Sequence, residues 1–190
     1  MTGLTIGLST SSPQTSVAII SAAGKLLWSG TELGPQNASA ALPKLLAVAL
    51  EVCDLRLTDA AGYAVDLGPG SFTGVRVGIV FAKVLAYSQG VRVCGATSFD
   101  LIAPESAAFV PSRRGEVFVR IPGEAPVKAS NPPPGARGYE FGVPGLFPHA
   151  AAFAQLLPSL TFVEPELLLP AYFAEPSVSV PKHPFAGRRG

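Results

Sequence analysis

Charge is what this chain has least of. Lys and Arg supply 14 of its 190 residues and Asp and Glu 13, so charged side chains make up 14%, against roughly 25% in an average globular protein. The balance is +1, which excludes a strong electrostatic footprint for nucleic acid over the chain as a whole. The two histidines, His149 and His183, lie far apart in Pro-rich surroundings. No His-x3-His or His-Glu-x2-His spacing occurs, which argues against a metal site built by this chain. The two cysteines, Cys53 and Cys94, sit in apolar segments and read as small core residues. Neither has a recognisable base beside it, as a nucleophile of a protease-like centre would need. Long apolar runs are missing as well. The best candidate, Val75 to Tyr87, is interrupted by Arg76 and Lys83, and nothing approaches the roughly 18 residues of a membrane span. The opening "MTGLTIGLSTSS" has no basic region, so it does not read as a signal peptide. The expectation is a soluble, cytoplasmic protein with reduced thiols and no membrane partner.

What the chain does have is 48% hydrophobic residues, 20 Gly and 19 Pro. A substantial core under a thinly charged surface makes an apolar patch covered by a partner plausible. "LTIGLST", "TSVAIIS" and "LLWSGTEL" read as three strands of an antiparallel meander joined by tight turns. "NASAALPKLLAVALEVCDL" has helical spacing, with Leu42, Leu45, Leu46, Ala49 and Val52 on one face. Asn37 or Ser39 can cap it, and Pro43 suits only its first turn. "AAGYAVDL" reads as a buried strand, residues 71–88 as a helix capped by Ser71 and stopped by Gly90, "VRVCGATS" as a strand and "SFDLIAPE" as a short helix. The second half restarts with strands "AAFVPS" and "GEVFVRI". Pro122 to Pro148 reads mostly as loop, "AAFAQLLPSL" as a short helix, and "ELLLPAYF" as an apolar segment packed on the body. The tail can bury little and is expected to be disordered.

The segment "DLGPGSFTGVRVGIVFAKVLAYSQG", from Asp66 to Gly90, allows two readings. Backbone amides at a helix start can hold an anion, with Gly68 and Gly70 permitting close approach and Ser71, Thr73 and Thr10 offering hydroxyls. Yet the spacing matches neither the phosphate loop nor the dinucleotide fingerprint. Alternatively the glycines serve packing. Gly74, Gly78, Ala82 and Ala86 recur every four residues, and interior glycines cost about 1 kcal/mol each relative to alanine. A stripe without bulk lets another backbone approach closely. That neighbour is either the protein's own sheet or another molecule.

A meander followed by alternating helices and strands is how each half of an actin-like, ribonuclease-H-like fold is built. The run Gly68-Pro69-Gly70-Ser71-Phe72-Thr73-Gly74-Val75-Arg76-Val77-Gly78 resembles the signature of the bacterial TsaB (YeaZ) family. "LTIGLSTSSPQTSVAI", "NASAALPKLL", "SRRGEVF" and "LLLPAYFA" resemble further family segments in the same order. The resemblance implies an α/β protein of the actin-like ATPase fold with two small lobes, residues 1–98 and a reduced 99–175, and a tail over 176–190. It implies a non-catalytic partner subunit in making N6-threonylcarbamoyladenosine at position 37 of tRNA. Its companions would be a TsaD-type transferase and a TsaE-type ATPase, with self-association as a homodimer and contact with tRNA only through the complex. No cofactor is required of this chain; ATP and metal belong to the partner subunits. The resemblance makes the helix a docking surface, with Gly70, Ser71, Phe72, Thr73, Gly74, Arg76, Val77, Gly78, Phe81, Ala82 and Ala86 at the interface and Arg76 and Lys83 setting orientation.

The chain departs from the family pattern at Ser9, where an acidic residue is usual, at Asn37 and Ala38 in place of His-Ser, at Pro111 in place of an acid, and at Ala174 in place of Arg. Actin-like phosphotransferases need acidic residues to hold their metal, so these losses leave fold and partner binding standing and weaken phosphate chemistry. Two rival functions share the fold: a small-molecule phosphotransferase or ATPase, and a plain homodimeric interaction module. The basic pairs Arg113–Arg114 and Arg188–Arg189 offer at most a modest, salt-sensitive contact with tRNA phosphates.

Overall fold

The computed structural model describes residues 3–34, 38–113, 115–140, 145–171 and 173. The first three apolar segments form β1 (Leu4–Ser9), β2 (Gln14–Ile20) and β3 (Leu26–Leu33), an antiparallel meander as expected. After α1 (Ala38–Val52), β4 (Ala60–Asp66) returns parallel to β1; α2 (Phe72–Gln89) then leads to β5 (Arg92–Ala96), parallel to β4. The strand order is β3-β2-β1-β4-β5, the arrangement of one half of the actin-like, ribonuclease-H-like fold.

Strands β1, β2 and β4 are buried along nearly their whole length, because both faces of the sheet are covered. On one face α1 and α2 pack against Ile6, Leu8, Val17, Ile19, Tyr63 and Val65. On the other, Ala18, Ile20, Ala64 and Cys94 meet Ala150 and Phe153. The single-residue alternation of a strand divides the residues between the two layers. Pro43 lies inside α1 rather than in its first turn. The helix begins early enough that the missing amide falls in the second turn, where the carbonyl of exposed Ser39 loses its donor. Asn37, the alternative cap, lies outside the described residues.

From α3 (Ser98–Ile102) the chain enters a second sheet of β6 (Ala108–Arg113), β7 (Glu116–Arg120), β8 (Val127–Ala129) and β9 (Arg137–Gly138), in the order β8-β7-β6-β9. Two short strands thus occupy the Pro/Gly-rich stretch expected to be mostly loop. Their pairing is backbone to backbone, which side-chain pattern hardly records. α3 packs Phe99 and Ile102 on this sheet with Val110, Phe118 and Tyr139. Arg120 ties the two by donating to the carbonyls of Ala103 and Pro104 at 2.7 and 3.0 Å.

The expected second lobe is divided. Residues 99–140 build the second sheet, whereas α4 (Phe153–Leu156) and the turns around it return to the first sheet. The later segment bridges Val93 to Val163 and buries Leu168 beside α2. The tail over 176–190, with His183, Arg188 and Arg189, lies outside the described residues, as do Arg114 and Ala174. Phe153→Ala should cost about 3–5 kcal/mol of stability in urea unfolding. A cost under about 1 kcal/mol would mean that residues 150–171 are not an integral layer of the first sheet.

Candidate functional site

α2 begins where the chain sets it. β4 ends at Asp66, the Gly68-Pro69-Gly70 turn reverses direction, and the Ser71 side chain accepts a hydrogen bond from the Gly74 amide at 3.2 Å, closing the N-terminus. Gly90, at φ +64°, ends the helix in the left-handed conformation that favours glycine. Both helix signals read from the sequence are therefore in place.

The stripe of small residues faces inward. Ala82 and Ala86 are 0% exposed and Gly74 and Gly78 are buried. A Cβ on Gly74 would run into the carbonyl oxygen of Thr10, and one on Gly78 into the Thr10 hydroxyl. The close neighbour is therefore the protein's own β1 and the turn that follows it. Gly74, Gly78, Ala82 and Ala86 are sealed against the chain's own β1 and cannot belong to a partner interface, which corrects the expectation drawn from the resemblance. A stripe without bulk shows that a backbone comes near; it does not show whose.

The same contact fills the expected anion site. Thr10 donates its hydroxyl to the Gly74 carbonyl at 2.7 Å, and the Ser71 amide donates to the Ser11 carbonyl at 2.6 Å. A Cβ at Gly70 would also meet Ser11, while Gly68 is buried. Of the proposed anion-binding residues Gly68, Gly70, Ser71, Thr73 and Thr10, the first three and Thr10 are engaged by the protein's own backbone. Thr73 points instead to the exposed side. The turn is a packing device, and its amide at Ser71 already has an oxygen.

The outward face is apolar. Phe72, Val80, Val84 and Tyr87 are 51%, 57%, 60% and 74% exposed, and Val48 and Val52 on α1 are 41% and 65% exposed. Along the outer side of α2 runs a groove of about 560 Å³ lined by Phe72, Arg76, Val77, Val80, Phe81 and, from α1, Ser39. The Arg76 guanidinium stacks over the Phe72 ring at 3.9 Å, which holds both side chains at the rim. On the far flank Lys83 donates to the Glu166 carbonyl at 3.3 Å, beside exposed Leu167 and Leu169. Of the expected interface residues, Phe72, Thr73, Arg76, Val77 and Phe81 lie along this groove. Val80, Val84 and Tyr87 were missed, although their i, i+4 and i+7 spacing was readable.

A second feature escaped the sequence reading. Asp66 is fully buried, with Ser9 Oγ and Ser11 Oγ at 2.7 and 2.6 Å from Oδ2, Ser98 Oγ at 2.7 Å from Oδ1, and the Gly68 amide donating to Oδ1 at 2.9 Å. Burial raises its pKa, and hydrogen bonds from Ser11, Ser98, Ser9 and Gly68 offset only part of that rise. An acid at position 9, usual in the resembled family, would set a second carboxyl against this one. The available signal was an Asp closing an otherwise apolar strand.

The remaining chemical candidates are engaged elsewhere. His149 accepts from the Ala151 amide through Nδ1 at 3.0 Å, and burial lowers its pKa. Cys94 is buried and its thiol is pushed up to about 12, far from a nucleophile's range. Arg113 is paired with Glu116 at 2.6 and 2.8 Å. Among the described residues, no three His, Cys, Asp or Glu side chains converge, and no helix is long and apolar enough to cross a membrane.

Residues 32–112, which include α1, the glycine turn and α2, match the family model described as TsaD, tRNA N6-adenosine threonylcarbamoyltransferase. The tRNA threonylcarbamoyladenosine biosynthesis protein TsaB of Bacillus subtilis is 33% identical over 79 residues, 38% of this chain and 34% of that protein. An uncharacterised protein of Mycobacterium tuberculosis is 33% identical over 140 residues, 68% of this chain and 62% of that one. The chain thus spans about a third of the first of these relatives and under two thirds of the second. YeaZ from Pseudomonas aeruginosa superposes with a TM-score of 0.73 at 24% identity, covering 90% of this chain and 99% of that one, which establishes the shared fold.

Gly74→Ala should destabilise the fold by about 1–3 kcal/mol, read as a lowered urea midpoint, because its methyl group meets the Thr10 carbonyl. Gly78→Leu, which would meet the Thr10 hydroxyl, and Ala82→Arg, which would bury a charge at a 0% exposed position, should unfold the chain. Retention of native stability in Gly74→Ala would show that the turn does not rest on α2.

Proposed function

The chain belongs to the TsaB (YeaZ) family, and from that we propose that it is the non-catalytic partner subunit of a TsaD-type tRNA N6-adenosine threonylcarbamoyltransferase. One observation carries this reading: the outward face of α2 is apolar and solvent-exposed, while the turn that would hold a phosphate is packed with the chain's own backbone. A protein with 14% charged residues that leaves four large apolar side chains exposed on one helix has a surface suited to burial by a partner. Phe72, Val80, Val84 and Tyr87 would supply the anchors, with Val48 and Val52 extending the patch onto α1. The Arg76 guanidinium at the rim would orient the complex.

In this role the chain acts in the cytoplasm and requires no cofactor. ATP and metal are held by the partner subunits, a TsaE-type ATPase cycles the assembly, and tRNA is met only within it. Self-association through the same face competes with the transferase, because one apolar patch cannot be buried twice. The Ser71 amide's hydrogen bond to the Ser11 carbonyl and the absence of an acid at Ser9 weigh against a phosphotransferase on this scaffold.

The test is co-purification of the TsaD-type subunit of the same organism with Val80→Asp and Val84→Asp variants. Each anchor is worth about 1.5–3 kcal/mol when buried, so each change should weaken capture roughly 10- to 100-fold with an unaltered circular dichroism spectrum. Undiminished capture by both variants would remove α2's outer face as the docking surface. Sedimentation of the chain alone at matched concentration reads the competing homodimer.

A further inference from the structure

Ser9, Ser11, Asp66 and Ser98 come from four different pieces of the chain: the end of β1, the turn after it, the end of β4 and the start of α3. All four are 0% exposed. Their oxygens make a closed figure. Asp66 Oδ2 lies 2.6 Å from Ser11 Oγ, Ser11 Oγ lies 2.9 Å from Ser98 Oγ, and Ser98 Oγ lies 2.7 Å from Asp66 Oδ1. Ser9 Oγ branches off, 2.7 Å from Oδ2 and 3.2 Å from the Pro148 carbonyl. Each serine brings one hydroxyl hydrogen, and an ionised carboxylate brings none.

The hydrogens can be counted. The three edges of the ring need three hydrogens, and Ser11 and Ser98 bring two. With a carboxylate, one edge leaves two oxygens facing each other at hydrogen-bond distance with no proton between them. A proton on Asp66 Oδ2 completes the circuit: Asp66 donates to Ser11, Ser11 to Ser98, and Ser98 back to Oδ1. Ser9 keeps its hydrogen for the 2.7 Å contact with Oδ2, and only the longer 3.2 Å approach to the Pro148 carbonyl is left without one. The environment favours the same state. All four groups that hydrogen-bond Asp66 are uncharged, and its titration is governed by burial and these hydrogen bonds. A buried carboxylate without a cation is among the costliest groups a fold can hold.

We infer that Asp66 is carried in the folded protein as the neutral acid, and that its proton completes a hydrogen-bonded latch at the seam between the two sheets. Ser98 opens the helix that leads into the second sheet. Tyr139, from that sheet's core, donates to the Ser11 carbonyl at 3.4 Å, and Pro148 lies on the segment returning to the first sheet. Loss of the proton breaks the ring and buries a charge at the point where these segments meet. The titratable groups around it are Tyr139 and His149. Tyr139's ionisation is pushed well up by burial and by Asp66, and His149, beside Pro148, is held neutral by burial. On α3, Asp100 turns to Thr97 and to Arg120. Among the described residues, no positively charged group pairs with the carboxyl.

The sign of the pH dependence follows. A carboxyl whose folded pKa lies above its unfolded value of about 3.9 binds its proton more tightly when folded, so stability falls as pH rises between those two values. Urea unfolding of the wild type and Asp66→Asn from about pH 4 to 8 isolates this group, since His149 and every other site cancel in the difference. An amide preserves the ring, donating to Ser11 and accepting from Ser98. The wild type should therefore lose folding equilibrium constant relative to Asp66→Asn, by up to roughly tenfold per pH unit. A flat difference, or a wild type that gains on the variant as pH rises, overturns the inference. Should Asp66→Asn fail to fold, NMR of wild-type protein carrying carboxyl-labelled aspartate decides. One aspartate carboxyl should titrate above all the others, and an Asp66 carboxyl that titrates with the rest, at the ordinary aspartate value of about 3.9, overturns it. The latch itself is read by hydrogen exchange of the β6 and β7 amides, corrected for intrinsic rates. Exchange should quicken with pH in the wild type; a rate independent of pH across the titration of Asp66 would dissolve the link between the proton and the seam.

Discussion

The turn after β1 lies directly on the first turn of α2, with the Thr10 carbonyl standing where any side chain at position 74 would have to be. That contact sets the depth at which α2 sits on the sheet. Because Gly74, Gly78, Ala82 and Ala86 bring no bulk, the helix backbone settles against β1, and Val75 and Ile79 drop into the core with Leu8 and Val65. Glycines are poor residues for a helix interior; here their cost is offset by dispersion contacts and by the Thr10 and Ser71 hydrogen bonds that a deeper seat allows.

Seating the helix so closely has a consequence for its opposite side. All the small residues are on the inner face, so the large apolar ones, Phe72, Val80, Val84 and Tyr87, remain outside. Burial of the stripe and exposure of the groove are two results of one rotation of α2 about its axis. The same contact decides the fate of the glycine turn. Anion binding at a helix start needs free amides, and here the Ser71 amide is given to Ser11. In this chain the turn is closed on the protein's own backbone, and the exposed apolar surface lies on the opposite side of α2.

The second sheet is joined to the first through polar groups as well as through packing. Ser98, Asp66, Ser11 and Ser9 converge under Tyr139, and Phe173 sets its ring against Phe99 at 5.8 Å and Phe118 at 6.4 Å. Buried polar clusters of this kind are costly unless every member is satisfied, which makes the seam sensitive to one proton. Ser9, at the position where the resembled family usually has an acid, meets Asp66 with a hydroxyl in place of a second carboxyl.

Order and type of the regular elements were legible in the residues themselves. Apolar runs separated by tight turns gave β1 to β3, helical spacing gave α1, and Ser71 and Gly90 marked both ends of α2 through local capping chemistry. The short strands β8 and β9 were not, because backbone pairing at a sheet edge leaves little trace in side chains, and neither was the return of residues 150–171 to the first sheet. The groove and the Asp66 ring depend on segments far apart in sequence meeting in space. Spacing along α2 identified a narrow face and a wide one, since periodicity is a property of one helix. Which of them turned inward depended on Thr10 and Ser11, more than sixty residues away, so only the tertiary structure could decide it.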